Sequence, residues 1–167
     1  WLEIAKETTT HLGEKIQVNF LTAPAEEFTG KGSYGLVDGT RGYKDFNINW
    51  IGWYGTNPEI ELMTKNVKFN QIKINFLNDQ RHWIFLPKKI SIYGFKKGKW
   101  NLINEKNIVT LTEDYIVTTS QIEIQDNKFN TFEKIKVVVK NQDDLPAWRK
   151  RKNKKPMVMI DEIELYK

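Results

Sequence analysis

The sequence predicts an all-β domain, an antiparallel β-sandwich or barrel, and three features carry that expectation. Apolar and polar residues alternate with a period of two from Lys15 to the C-terminus. Turn-forming pairs separate the alternating runs. No segment keeps apolar residues at helical spacing for three turns without an equally good strand reading. Short strands divided by turns over this length mean a sandwich or barrel, and 167 residues suffice for one full core.

The elements follow in order. Residues 1–11 read as a linker or the remnant of a preceding domain, and 12–167 as the sandwich. The chain opens at Trp1 without Met or a signal pattern, as a piece of a longer protein would. Ile16, Val18 and Phe20 alternate with Lys15, Gln17 and Asn19, a half-buried strand. Ile72, Ile74 and Phe76 alternate with Gln71, Lys73 and Asn75. Further runs are Ile90–Tyr93, Gln121–Ile124, Ile135–Val139 and Met157–Tyr166. Their load of Ile, Val, Phe and Tyr suits a pleated surface with one buried face. Turn signals fall at Asp38-Gly39, Asn57-Pro58, Lys97-Gly98, Asp126-Asn127 and Leu145-Pro146.

Residues 23–57 break the pattern. Gly30, Gly32, Gly35, Gly39, Gly42, Gly52 and Gly55 are interspersed with Tyr34, Tyr43, Phe46, Trp50, Trp53 and Tyr54. A loop of that length is functional or pinned by an ion or its own packing. Aromatic residues among glycines supply contact surface at low entropy cost; capping one open end of the sandwich is the competing role.

Composition excludes several classes. Hydrophobic residues at 40% and aromatics at 13% fit a packed globule rather than a disordered tail. No run of eighteen apolar residues is present to form a membrane-spanning helix. Zero cysteines exclude disulfides, thiolate metal sites and a Cys nucleophile. The acidic pairs Asp143-Asp144 and Asp161-Glu162 read as a turn and a strand end, not as a glycosidase pair flanking a cleft. Two histidines, His11 and His82, make no three-His zinc site, and there is no HExxH, GxSxG, P-loop or strand–GxGxxG–helix. No catalytic residue is therefore expected. The net charge of +5 is local: Arg149, Lys150, Arg151, Lys152, Lys154 and Lys155 carry six positive charges in seven positions, and the chain without them stands at −1.

Gly35-Leu36-Val37-Asp38-Gly39-Thr40-Arg41-Gly42, followed by Trp50-Ile51-Gly52-Trp53, resembles the signature of discoidin-like (coagulation factor type C) domains. The variant is the one appended to bacterial family 20 β-N-acetylhexosaminidases. The resemblance runs on through Phe76–Gln80, Trp83–Pro87, Ile90–Tyr93, Val137–Asn141, Pro146–Trp148 and Ile160–Ile163. Such domains are similar to family 32 carbohydrate-binding modules, and the resemblance implies their galactose-binding-like antiparallel β-sandwich, a jelly roll. This chain departs in three places: Ile60–Met63 lacks a Gly, the loop before the last strand is the basic run, and Tyr43 follows the Arg-Gly where relatives often have Gly-Ser.

The resemblance implies a non-catalytic glycan-binding module of an exported glycosidase, periplasmic, on the outer-membrane surface or extracellular. Its expected partners are a glycan and the catalytic domain of the same parent chain; nucleic acid and membrane insertion are not expected. A structural domain packed on the catalytic unit is the alternative, as is an acidic or sulfated glycan bound through Arg149–Lys155. It also implies a structural Ca²⁺, held by the Asp38 and Glu162 side chains with carbonyls of Gly35, Thr40, Tyr43 and Asp161. Glu162 shares a strand face with Val158 and Ile160 by strict alternation. Neutralisation of Glu162 by Arg41 or a Lys is the alternative to a metal. Sugar-contacting candidates are Arg41, Trp53 and Tyr54 of the glycine-rich loop and Asn78, Asp79, Gln80 and His82 of the next, with Trp148 and Arg149 completing a rim. Trp50, Trp83 and Phe85 read as core.

Overall fold

Strands numbered in chain order form two antiparallel sheets. One has the order β1 (Gln17–Phe20), β3 (Glu59–Met63), β8 (Lys134–Lys140), β5 (Lys89–Lys96), β6 (Lys99–Asn107). The other runs β2 (Ile51–Tyr54), β9 (Met157–Tyr166), β4 (Gln71–Asn78), β7 (Thr118–Gln125). The computed structural model describes residues 8–108 and 110–167, so most of the expected lead-in, residues 1–7, lies outside the described residues. Among the described residues, helical structure is confined to 3₁₀ segments of three to five residues, and none is long and apolar enough to cross a membrane. The antiparallel all-β architecture expected from the alternation, and the sandwich that the resemblance implies, are the fold observed.

Alternation explains the core. Ile60 and Leu62 of β3, Ile135, Val137 and Val139 of β8, and Ile90 and Ile92 of β5 face across to Ile72, Ile74 and Phe76 of β4 and Val158, Ile160, Ile163 and Leu165 of β9. All these side chains are essentially inaccessible, as expected of two interdigitating inner faces. Lys97 and Gly98 close the β5–β6 hairpin with φ of 52° and 76°, the pair of left-handed residues that a tight hairpin requires. Phe132 packs over Gly94 of β5, where an added Cβ would lie 2.2 Å from the ring.

β9 does not alternate strictly. Phe76 pairs with Ile160 and Ile74 with Ile163, so one residue of β4, Asn75, lies opposite two of β9, Asp161 and Glu162. This bulge turns both Asp161 and Glu162 away from the core face and restores Ile163 and Leu165 to it. The expectation that Glu162 shares a face with Val158 and Ile160 is thereby corrected: strict alternation fails at the bulge. Both carboxylates are nonetheless wholly buried, because the glycine-rich loop and the Thr9–His11 segment cover the outer face. Thr9 N donates to Gly39 O at 2.8 Å, and His11 Nε2 lies 3.2 Å from Glu162 Oε2. Glu164, next on that face, accepts from Arg41 at 2.9 and 3.2 Å and from Gln121 at 2.6 Å.

Candidate functional site

Three connections converge beside β2: the long loop before it, the β4–β5 connection and the β8–β9 connection. They enclose a pocket of about 200 Å³ lined by Phe28, Phe46, Tyr54, His82, Trp83 and Lys154, with Ile84, Met157 and Met159 completing it.

Asp79 organises the β4–β5 side. Its amide and carbonyl both pair with Ile84, each at 3.0 Å, which pinches residues 80–83 into a tight turn. Its buried carboxylate accepts from His82 Nδ1 at 2.7 Å. That bond fixes which ring nitrogen carries the proton toward Asp79 and leaves Nε2 for a ligand. The imidazole is half exposed, and its ring centroid lies 4.6 Å from Phe46, which meets Phe28 edge-on at 5.9 Å.

Trp83 forms the facing wall. Its backbone is left-handed, φ 59° and ψ 31°, a conformation that costs an L-residue roughly 1–2 kcal/mol. It terminates the turn opened by Asp79, and the indole N–H donates to Arg149 O at 3.1 Å. Trp83 is therefore not core, as its sequence block suggested; it is partly exposed and lines the pocket. Trp50 and Phe85 are fully packed, as expected.

The other sequence candidates are dispersed. Trp53 has no accessible surface; it packs edge-on against Phe20 at 5.6 Å and donates to Thr22 O at 2.9 Å. It cannot serve as a sugar platform, because β2 points Ile51 and Trp53 inward and Tyr54 outward. Arg41 is committed to Glu164 on the outer face of the sheet and does not reach the pocket. Tyr54 does line it, its hydroxyl accepting from Lys155 N at 2.9 Å. Asn78 and Gln80 line a groove of about 400 Å³ along residues 106–108 and 110–114, and Trp148 a neighbouring one of about 350 Å³. Trp148 Nε1 donates to buried Gln80 Oε1 at 2.8 Å. These grooves are larger than the His82 pocket but present few aromatic faces, so the pocket is the better seat for a sugar ring. Phe28, Phe46 and Trp83 were not among the sugar candidates; Phe46 stood out only as an aromatic in the glycine-rich loop, and Lys154 only as part of the basic run considered for an acidic glycan.

The implied calcium ligands fit in part. Burial and then the charge of Asp38 push the Glu162 carboxyl up to about 9, and Glu162 Oε1 is buried without a hydrogen-bond partner. Two carboxylates in mutual repulsion with an orphaned oxygen are what a dication would relieve. Asp38 is meanwhile held by Lys31 Nζ at 3.0 Å and Thr40 N at 2.9 Å. The Tyr43 carbonyl, an expected ligand, instead accepts from Trp50 Nε1 at 2.6 Å. The Asp161 side chain turns to Gly42 N and to Asn75 Nδ2, and burial pushes its carboxyl up to about 7. Among the described residues no three His, Asp or Glu side chains form a metal cluster, so the remaining ligands would be backbone carbonyls. Among the described residues the ion-pair partner of Glu162 is His11, while Arg41 pairs with Glu164.

No protein-family model matches the chain, and no curated protein sequence does. Solved structures do match. A GH31 CBM32-2 module bound to GalNAc superposes with a TM-score of 0.55 at 16% identity, over 91% of this chain and 97% of that one. The family 32 carbohydrate-binding module of NanJ from C. perfringens, in complex with galactose, gives 0.50 at 15%, over 95% and 98%. A Ruminococcus gnavus GH29 fucosidase in complex with fucose gives 0.51 at 17%, over 95% of this chain and 26% of that one. The chain thus has the fold of family 32 carbohydrate-binding modules, a galactose-binding-like β-sandwich, over almost its whole length.

Proposed function

We propose that the chain is a non-catalytic carbohydrate-binding module of an exported bacterial glycosidase, a β-N-acetylhexosaminidase by its loop signature. The sugar sits in the pocket between Phe46, His82, Tyr54 and Trp83. One observation carries this reading: an aromatic-walled pocket contains a half-exposed imidazole that a buried carboxylate holds in one orientation. Aromatic faces take the apolar C–H surface of a sugar ring, and a fixed His Nε2 reads a hydroxyl. The likeness to modules solved with GalNAc and galactose supports the same reading.

A monosaccharide of about a dozen heavy atoms, at roughly 0.3 kcal/mol per atom, binds with a Kd on the order of 1 mM. Such affinity serves to raise the parent enzyme's concentration on a glycan by avidity. The proposal includes a structural Ca²⁺ between Asp38 and Glu162, completed by carbonyls of Gly35, Thr40 and Asp161; a fall in Tm with EDTA that calcium reverses is its expected signature.

The test is titration of galactose, GalNAc, GlcNAc and fucose into ¹⁵N-labelled protein. Saturable shifts at His82, Trp83 and Tyr54, abolished in His82→Ala without loss of folding, are expected. Absence of any shift with these sugars and with their acidic derivatives would leave the chain a structural domain of its parent enzyme.

A further inference from the structure

We infer that the pocket accepts a sugar bearing a negative charge, a carboxylate or a sulfate, through the cations gathered about Trp83. The inference deepens the proposed function and rests on it. The basic run is not simply a solvated loop. Arg149 lies over the Trp83 ring with its guanidinium carbon 3.9 Å from the centroid; Lys154 Nζ is at 4.8 Å and the guanidinium carbon of Arg151 at 5.3 Å. The loop is folded back and tied at both ends. Arg149 donates to Gln80 O at 3.1 Å and Arg81 O at 2.6 Å, and the Lys155 amide donates to the Tyr54 hydroxyl at 2.9 Å.

Those anchors are neutral oxygens, so the fold brings the cations together without cancelling them. Among the described residues, neither Arg151 nor Lys154 has a carboxylate partner. Lys150 pairs with exposed Asp144, and Asp79, the acid of the turn that carries His82, is buried and paired with it. Like charges around one indole repel, and an indole face offsets only part of that. An anion at the pocket mouth would remove the repulsion. Lys154 lines the pocket itself, so a ring stacked among Phe46, His82 and Trp83 would set its anionic substituent within reach of Lys154 and Arg151. Uronic and sialic acids supply a carboxylate and sulfated sugars a sulfate; both satisfy the geometry.

The experiment compares galactose, galacturonic acid and galactose-6-sulfate by the same titration at 20 mM and 500 mM NaCl, with a short DNA duplex alongside. Expected is a preference of about tenfold or more for one acidic sugar over galactose at low salt, shrinking at high salt. That ratio is expected to fall toward one in Arg151→Gln/Lys154→Gln, whose fold is verified by circular dichroism. The preferred acid identifies carboxylate or sulfate as the source. Equal binding of all three sugars overturns the inference and leaves the proposed function standing. A preference that survives the double substitution also overturns it, as does binding of the duplex without either acidic sugar. No binding of any sugar sinks the proposed function with it.

Discussion

Trp53→Ala separates two roles for one residue. The loop signature casts Trp53 as an exposed sugar platform, whereas the structure gives it no accessible surface, an edge-on contact with Phe20 and a hydrogen bond to Thr22 O. Truncating a buried Trp to Ala costs about 3–5 kcal/mol through lost transfer energy and the cavity left behind. Thr22 O loses its donor as well, so about 4 kcal/mol is the working figure. For a domain of this size each kcal/mol moves Tm by roughly 2–4 °C, which makes the expected drop roughly 8–16 °C. A loss this large approaches the whole stability of a marginal domain, so Trp53→Phe is the companion variant. It keeps most of the ring and removes the N–H, for about 1–2 kcal/mol. Urea unfolding followed by far-UV circular dichroism reads both. A Trp53→Ala protein within about 0.5 kcal/mol of the parent that has lost sugar binding would refute the reasoning, because it would put Trp53 on the binding surface.

Three further outcomes are expected. Gly94→Ala drives a Cβ to 2.2 Å from the Phe132 ring and destabilises by about 1–3 kcal/mol, since the ring must leave its site; a melting curve equal to the parent's would contradict that packing. In chelator-treated buffer, stability falls as pH rises from 7 to 9. Glu162 is raised from 4.5 to about 9 and Asp161 from 3.8 to about 7, so the folded state holds protons that the unfolded chain has released, and their contribution is lost as pH climbs through those values. The slope is roughly 1 kcal/mol per pH unit, and a flat profile over that range would show the carboxylates to be otherwise neutralised. Tyr54→Phe removes the acceptor for Lys155 N at a cost of about 1 kcal/mol or less; faster amide exchange at Lys155, with the sheets unaffected, is the sign to look for.

The runs that form β1, β4, β5, β7, β8 and β9 were legible because their apolar residues recur at every second position. β6 was not, because Ile92 pairs with Asn104 and Tyr93 with Leu102, so Ile103 is an extra residue and the alternation slips. The strand is also an edge, with Leu102 exposed, and it lacks a contrast between faces. At the candidate site, the loop signature marked the right region but not which way its side chains point. For Trp53 the correcting signal was present: Ile51 and Trp53 alternate with Gly52 and Tyr54, which puts Trp53 on the inner side of a strand. For Trp83 no such signal existed. Its left-handed backbone closes the turn pinched between Asp79 and Ile84, but its cover of Arg149, Arg151 and Lys154 arises from contacts across more than sixty residues of chain, which nothing local encodes.

The β9 bulge links the signature to the fold. Without the extra residue, either Asp161 or Glu162 would face the core between Ile160 and Ile163, where a carboxylate has no partner. With it, both turn outward, and the sequence must then supply a cover that satisfies them. Gly42 meets that need twice. Its amide donates to Asp161, and its missing side chain lets the Trp50 ring pack where a Cβ would stand 2.4 Å away. Arg41 beside it pairs with Glu164, and His11 closes on Glu162. The Asp-Gly-Thr-Arg-Gly segment is thus a clamp that fastens the long loop to the outer face of the sheet. Phe28 and Phe46 flank that clamp in sequence and line the pocket. The motif that resembles a binding signature therefore positions the binding surface instead of forming it, and substitutions at Arg41 or Gly42 should weaken sugar binding only in step with lost stability.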